Sequence, residues 1–352
     1  MQHTYKKMNF LPQKFLLILL VTLELGSCSP SDQPEQVIPV SSVYAVGYDS
    51  SPTALLPLVW QNNLPIFNLD TEVHSIVGAS IFVKGNDVYV YMRCHDNWLG
   101  NEYNKGKLYK NGVFAGDVAN ATNEFSPLFV TDNHCYYISN DANRYTGTLV
   151  PHLCKLREDT SIPMTDPSIL NGVAGTSLFI VGNDIYAALN TMTQGSHQIY
   201  LWKNGQITNI TSSDHICVSY SMFVSGNDVY IAGNYDGFAS LWKNGIRTAL
   251  TTEGSNATSV FVNGNDVYVA GSEAYQNSSK AKYWKNGISV DLTDGTNYAS
   301  ANSIFVKGND VYVAGKEHNA QGIYVAKIWK NGIDTSLTDG TFNADAQSIF
   351  VN

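Results

Sequence analysis

The chain has 352 residues, of which 44% are hydrophobic and 14% charged, a balance that excludes a disordered chain or a coiled coil. Its formal net charge of −9 argues against nucleic-acid binding, because that affinity comes from Lys and Arg side chains that neutralise phosphates. With 28 glycines and 21 tyrosines, the composition is rich in turn and strand residues and favours an all-β protein.

The first 27 residues have the layout of a secretory signal. A basic stretch precedes an apolar run over 15–23, which is too short to span a bilayer, and small residues follow it. The order Leu25-Gly26-Ser27-Cys28 resembles the lipobox of bacterial lipoproteins. That resemblance implies that Cys28 becomes the first residue of the mature chain and carries a lipid. A plain signal peptide with an incidental Cys is the alternative, and either Met1 or Met8 can be the start.

Residues 28–42 are predicted to form a flexible tether. They contain three prolines and no hydrophobic periodicity, a pattern typical of an extended linker. With the lipid on Cys28, the predicted location is the outer membrane of an exported protein, facing either the cell surface or the periplasm. The membrane is then one predicted partner, and nucleic acid is not.

Residues 43–352 consist of sequence repeats with periods of about 38 to 50 residues. A Ser-x-Phe-Val phrase, a Val-Tyr phrase and a Trp-Lys-Asn-Gly phrase follow one another in each repeat, with some copies altered. The Ser-x-Phe-Val phrase or a close relative occurs seven times, at 80–83, 126–130, 177–181, 221–224, 259–262, 303–306 and 348–351. The recurring Trp, Tyr and Phe are predicted to be core residues of the repeating unit.

Each repeat is predicted to contain four short antiparallel strands. Asn-Gly is the strongest short-range hairpin signal, because both turn residues need positive φ, and Gly-Asn-Asp forms a second tight turn. Four-stranded units repeated seven times predict a seven-bladed β-propeller over 43–352. Ser-x-Phe-Val is then the innermost strand. The repeats begin at a second strand, at Val43, and end on an isolated first strand at 348–351. The C-terminal strand is therefore expected to join the N-terminal blade and close the ring, which hides two sheet edges.

The predicted strand order and the repeated sequence GNDVYVAG…WKNG resemble those of kelch-like β-propeller repeat lipoproteins of bacteria, a group of unassigned function. The resemblance covers 43–351. It implies the blade order and no particular partner, because the kelch double glycine is a single glycine here and the kelch Trp spacing is not kept.

No contiguous catalytic or cofactor motif occurs. There is no Gly-x-Ser-x-Gly elbow, P-loop, dinucleotide fingerprint or HExxH, so no catalytic residue, cofactor or metal is predicted. The recurring Asp of Gly-Asn-Asp is interpreted as turn chemistry. Sites in propellers are assembled from distant loops, so paired carboxylates or a His-Tyr pair near the channel mouth would indicate an enzyme. A disulfide between Cys135 and Cys154 is a further hypothesis, since an exported domain permits it.

The variable loops are expected to share one face of the disc, opposite the tight turns. They are rich in Asn, Gln, Ser and aromatic residues, a composition that suits a glycan or protein ligand. The predicted function is a monomeric, non-catalytic, lipid-anchored binding module, with a periplasmic scaffold for envelope assembly as the alternative and a propeller hydrolase or lyase in third place. The candidate ligand contacts are Trp98, Tyr103, Tyr145, Tyr235 and Tyr275.

Overall fold

The computed structural model describes residues 41–50, 55–69, 75–98, 101–118, 128–131, 134–142, 149–155, 161–165, 172–191, 197–212 and 214–352. The predicted signal, Cys28 and most of the predicted tether lie outside these residues. No helix among the described residues is long and apolar enough to cross a membrane.

The described chain forms 28 strands. In chain order they are β1 (Val43–Ser50), β2 (Leu55–Gln61), β3 (Leu64–Asn68), β4 (Ser75–Lys84), β5 (Asp87–Trp98), β6 (Asn101–Lys110), β7 (Val113–Val118), β8 (Phe129–Val130), β9 (Cys135–Ala142), β10 (Leu149–Lys155), β11 (Ser161–Pro163), β12 (Val173–Val181), β13 (Asp184–Thr191), β14 (Ile199–Lys203), β15 (Gln206–Asn209), β16 (Cys217–Ser225), β17 (Asp228–Tyr235), β18 (Phe238–Lys243), β19 (Ile246–Ala249), β20 (Ser255–Asn263), β21 (Asp266–Tyr275), β22 (Ser278–Lys285), β23 (Ile288–Asp291), β24 (Ala299–Lys307), β25 (Asp310–His318), β26 (Tyr324–Lys330), β27 (Ile333–Ser336) and β28 (Ala344–Val351).

The strands form seven four-stranded antiparallel sheets, which confirms the predicted seven-bladed β-propeller. Blade 1 has the order β28-β1-β2-β3, so the C-terminal strand completes the N-terminal blade as predicted. Blades 2 to 7 each use four consecutive strands, starting at β4, β8, β12, β16, β20 and β24. The first strand of each blade is innermost, because these strands contact one another around the ring.

The core lies between neighbouring blades. The Trp that begins the Trp-Lys-Asn-Gly phrase in four blades, and Trp-Gln-Asn-Asn in blade 1, is 0 to 3% exposed in each of them: Trp60, Trp202, Trp242, Trp284 and Trp329. Each of these residues packs in an apolar cluster that includes side chains of an adjacent blade. Because each blade buries both faces against its neighbours, the ring has to close for the end blades to be covered.

The phenylalanine of each Ser-x-Phe-Val phrase takes a position that differs from the predicted one. These side chains are only half-buried, and their rings form a closed circle in which neighbouring centroids are 4.6 to 5.6 Å apart: Phe82, Phe129, Phe179, Phe223, Phe261, Phe305 and Phe350. A heptagon with such sides places each centroid about 6 Å from the central axis. Neighbouring ring planes make angles of 44 to 59°, close to the one-seventh of a full turn that relates one blade to the next. The ring planes are therefore parallel to the central axis, and the rings line the channel.

The two tight turns of a blade are tied together on one face of the disc, which we call the turn face. In blade 7, Asp310 of the Gly-Asn-Asp turn accepts hydrogen bonds from Lys330 Nζ at 2.9 Å and Asn331 Nδ2 at 2.8 Å, and Asn331 Oδ1 accepts from the backbone N–H of Val311. The same Asp-Lys and Asp-Asn bonds occur in blades 2, 4, 5 and 6. The Lys and Asn bonds lower the pKa of Asp310. This cross-link explains why the two phrases recur together.

Candidate functional site

The opposite face, which we call the loop face, carries the crossover segments and the connections after each second strand. On this face of blade 5, β17 and β18 are joined by the two-residue turn Asp236-Gly237. Both residues have positive φ, of 51° and 88°, which Asp and Gly tolerate better than most residues. Asn234 Oδ1 accepts a hydrogen bond from the N–H of Gly237 at 2.6 Å and fixes the turn.

The turn holds a carboxylate against a histidine. Asp236 Oδ2 lies 2.6 Å from His215 Nδ1, and Asp236 Oδ1 accepts a hydrogen bond from the N–H of Ile216 at 2.8 Å. The crossover segment that carries His215 is itself pinned on both sides. The N–H of Asp236 donates to the carbonyl of Ile216, and the N–H of Cys217 donates to the carbonyl of His197 in blade 4. Backbone bonds thus fix both members of the pair.

The electrostatics of this pair favour an ionised carboxylate. The backbone N–H of Ile216, together with His215, lowers the pKa of Asp236. An ionised Asp236 selects the tautomer in which Nδ1 of His215 carries the proton, so that Nε2 has the lone pair. The side chains are 39% and 38% exposed, so the pair can reach a solvent molecule or a ligand.

An aromatic ring and a cation flank the histidine. The ring centroid of Tyr235 is 4.5 Å from that of His215, and the guanidinium carbon of Arg247 is 3.8 Å from the Tyr235 centroid. Arg247 Nη1 donates a hydrogen bond to Ser240 Oγ at 3.2 Å. A histidine paired with a carboxylate, an aromatic ring and a cation are therefore grouped on one part of the loop face.

A second group of titratable side chains lies where blade 7 meets blade 1. Lys316 Nζ is 2.9 Å from Asp345 Oδ2, and Asn302 Nδ2 donates to Asp345 Oδ1 at 2.6 Å. Burial, opposed by Lys316 and Asn302, raises the pKa of Asp345. The rings of His318 and Tyr324 are in tilted contact nearby, with centroids 3.8 Å apart, and burial lowers the pKa of His318. Asp345 is buried and lies on the closing strand β28, so this group serves ring closure.

The structure brings one of the five predicted contact residues into the candidate site, and that residue is Tyr235. Tyr275 lies at the β21–β22 connection, where Lys280 Nζ is 4.2 Å from its ring centroid. Trp98 and Tyr103 lie on the paired strands β5 and β6. Tyr145 lies outside the described residues.

The proposed Cys135–Cys154 bridge is not formed in the described chain. Both side chains are buried in the same apolar cluster, but the strand register places Cys154 opposite Tyr137. Burial raises the pKa of the Cys135 thiol to about 12, which makes it a poor nucleophile.

Sequence reasoning missed His215 and Asp236, which are 21 positions apart and form no contiguous motif. One signal was available in the repeats themselves. Glu253 and Asn297 stand two residues before the first strand in blades 6 and 7, where blade 5 has His215. A departure from otherwise similar copies can mark a functional position. Nowhere in the described ranges do three or more His, Cys, Asp or Glu side chains form a group that could hold a metal.

The propeller is similar to parts of solved peptidases. It matches a puromycin-hydrolysing peptidase of Mycobacterium tuberculosis with a TM-score of 0.52 and 8% identity, over 83% of this chain and 53% of that one. It matches the acylaminoacyl peptidase of Pyrococcus horikoshii with a TM-score of 0.50 and 12% identity, over 85% and 50% of the two chains. The chain thus spans about half the length of these structures. No family model and no curated protein matches it.

These likenesses correct the functional prediction. The chain was expected to be a non-catalytic binding module or a scaffold and not an enzyme, and the comparisons contradict that prediction, since the solved propellers that it resembles are parts of peptidases. The expectation depended on the absence of a contiguous motif, whereas propeller sites combine residues from separate loops. At 8 to 12% identity the likeness itself shows the fold alone.

Proposed function

We propose that this propeller is a hydrolase that cleaves acyl bonds of peptide-like substrates, with His215 as the general base. The main support for this proposal is the 2.6 Å contact between His215 Nδ1 and Asp236 Oδ2, which lies half-exposed on the loop face. No described protein group bonds Nε2 of His215, which leaves that atom available to a water molecule.

The chemistry uses groups that are already in place. Nε2 of His215 takes a proton from water as the oxygen attacks the acyl carbon, and the C–N or C–O bond then breaks as the leaving group takes the proton from Nε2. Asp236 orients the ring and stabilises the imidazolium form. Arg247 supplies positive charge for the oxyanion, since its guanidinium and the His215 ring both contact the Tyr235 ring.

The peptide-like substrate class is supported by the solved structures that the propeller resembles, which are a puromycin-hydrolysing peptidase and an acylaminoacyl peptidase. Activity in those proteins belongs to chains about twice the matched length, so for this chain the substrate is part of the proposal. An aromatic surface beside the base, at Tyr235, suits an acyl or amide group that carries an aromatic side chain.

The test is hydrolysis of aromatic amino-acid esters and anilides by the full chain. His215→Gln is expected to lower kcat/KM by about 100-fold or more, as is usual when a general base is lost. Asp236→Asn keeps a residue that tolerates the positive φ and is expected to lower kcat by about tenfold or more through loss of the orienting charge.

A matched control is His318→Gln, which removes a loop-face histidine that packs on Tyr298 and Tyr324. It is expected to keep full activity. Equal activity of the wild type and His215→Gln would rule out this base, and a wild type that cleaves neither esters nor anilides would contradict the hydrolase proposal.

We also propose that the chain is an exported, kelch-like repeat lipoprotein of the outer membrane, with residues 1–27 removed and Cys28 lipidated. The signal-like layout and the lipobox resemblance support this. Metabolic labelling with an alkyne fatty acid should label the wild type and leave Cys28→Ser unlabelled. A labelled Cys28→Ser variant would contradict the assignment.

A further inference from the structure

An apolar side chain protrudes from the same place in five of the seven blades. It is the first residue of the outermost strand, directly after the turn that follows the third strand, and it pairs with the last residue of that third strand. These side chains are 68 to 75% exposed, among the highest values of all large apolar residues described: Leu64, Val113, Ile246, Ile288 and Ile333. We call these five residues the apolar arc.

The arc is continuous around the ring. Its members belong to blades 5, 6, 7, 1 and 2, which are neighbours once β28 has closed the ring. Blade 4 has Gln206 at the equivalent position, opposite Lys203. Single exposed apolar residues are normal on protein surfaces, but recurrence at one structural position in five adjacent blades calls for a common contact.

Propeller symmetry determines the shape of that contact. Equivalent positions of blades that are related by rotation about one axis lie on a circle in a plane perpendicular to that axis. The five tips therefore lie close to one plane at the edge of the turn face. A rounded protein partner would touch neighbouring tips only, whereas a flat surface touches all five together.

The charges beside the arc are suited to an interface that excludes some water. In four of these blades the residue paired with the apolar tip is a Lys whose ammonium lies 2.7 to 2.9 Å from the Asp of the Gly-Asn-Asp turn. In blade 1 the corresponding residue is Gln61, which is neutral. The tips therefore project from pairs whose charges cancel, so that the charges paired beside them leave water as neutral pairs when the tips enter an apolar layer.

We propose that the turn face lies on a lipid bilayer and that the apolar arc inserts into the boundary between head groups and acyl chains. The arrangement resembles that of an interfacial helix, in which apolar side chains enter the membrane while polar groups stay at head-group level. The loop face, which carries His215 and Asp236, then points away from the membrane. This proposal does not depend on the hydrolase proposal, because it uses the opposite face.

The test places a nitroxide label at two positions of the full chain, with phosphatidylcholine vesicles as the probe. Ile288→Cys reports on the arc, and Ile216→Cys is a matched control on the loop face, where Ile216 is 55% exposed. Both are made with Cys28→Ser so that only one accessible thiol remains, since Cys94, Cys135, Cys154 and Cys217 are buried. When vesicles are added, the nitroxide at position 288 is expected to collide more often with oxygen and less often with a water-soluble nickel reagent. Neither collision frequency should change for the nitroxide at position 216.

A second arm replaces Ile246, Ile288 and Ile333 by Gln, the residue that blade 4 has naturally. The triple variant is expected to lower the vesicle partition coefficient at least about tenfold, while Ile216→Gln changes it less than about twofold. Equal behaviour of labels 288 and 216, or unchanged partition of the triple variant, would overturn the proposal. Protection of label 288 that grows with protein concentration without vesicles would assign the face to a second copy and would overturn it as well.

Discussion

The recurring glycine of the Val-Tyr phrase is explained by a close backbone approach. In blade 7, a Cβ on Gly315 would lie 2.0 Å from the carbonyl oxygen of Ser300, where a β-bulge shifts the register of β24 against β25. The equivalent contacts at Gly47, Gly233 and Gly271 are 1.8 to 2.0 Å. In blade 4 the glycine is on the other strand of the same pair, as Gly175 opposite Leu189. In blade 2 the register shift lies between Ile76 and Gly78, and Gly78 is opposite Arg93. A glycine therefore flanks the bulge in every blade where the bulge is described.

Replacing Gly315 by Ala should destabilise the protein strongly, because the clash is with backbone atoms that cannot turn aside. We expect a loss of about 3 kcal/mol or more in the free energy of unfolding, measured by urea denaturation. Gly254→Ala is the control, since its Cβ would meet only the Cβ of Ala274 at 3.8 Å, and it should change stability by about 0.5 kcal/mol or less. A Gly315→Ala variant as stable as the control would show that the bulge relaxes freely.

At the residue scale, sequence periodicity predicts which residues the fold needs, but it does not predict the residues of the candidate site. The repeated Trp, Asp and Asn positions are visible because each blade needs them. His215 and Asp236 are not repeated, and their contact depends on a crossover segment pinned between His197 and Asp236. That geometry arises only once blades 4 and 5 have packed together.

At the scale of the strand, neighbouring blades are joined by a lateral hydrogen bond. The serine of Ser-x-Phe-Val accepts from a backbone N–H on the innermost strand of the next blade at 2.9 to 3.3 Å. The bonds join Ser177 to Met222, Ser221 to Val260, Ser259 to Ile304, Ser303 to Ile349 and Ser348 to Ile81. The serine thus satisfies a backbone donor that the blade's own ladder leaves unpaired.

Ser303→Ala should cost about 1 to 2 kcal/mol of unfolding free energy, because the N–H of Ile349 then stays buried without an acceptor. The chain offers a matched control in Ser80, whose buried Oγ has no hydrogen-bond partner among the residues that the structure describes. Ser80→Ala should change stability by about 0.5 kcal/mol or less, or raise it slightly. Equal losses in the two variants, measured by thermal and urea unfolding, would show that the lateral bond contributes nothing.

The order of strands within a blade could be predicted from sequence, whereas the contacts between blades could not. Asn-Gly and Gly-Asn-Asp fix hairpins through local turn chemistry, and the isolated 348–351 phrase fixed the expectation of closure. The lateral serine bonds and the circle of phenylalanines depend on the angle between blades. No local pattern encodes that angle, so the Phe side chains were predicted to be core and instead line the channel.

At the scale of the whole molecule, stability depends on the closure of the ring by β28. Besides its pairing with β1, this strand is bonded to blade 7 by polar side chains. Lys316 pairs with Asp345, and Asn302 donates to Asp345 Oδ1 and to the carbonyl of Ala346. Since Asp345 is buried, this contact stabilises closure only while the carboxylate keeps its cation.

Lys316→Met removes that cation and should lower the free energy of unfolding by an amount that depends on pH. The pKa of Asp345 is already raised by burial, and without Lys316 it rises further. A carboxyl whose pKa is higher in the folded than in the unfolded chain favours folding at low pH and loses that contribution as pH rises through the folded pKa. We therefore expect a loss of about 3 kcal/mol at neutral pH that shrinks as the pH falls toward about 4.

The double variant Lys316→Met with Asp345→Asn isolates this cause. Asn keeps a hydrogen-bonding partner for Asn302 and carries no charge, so the pH-dependent part of the loss should disappear. The measurement is urea unfolding of both variants and the wild type between pH 4 and pH 8. A Lys316→Met loss that is constant over this range would mean that the lysine acts through packing of its alkyl chain, and closure would then depend on apolar contacts and backbone pairing alone.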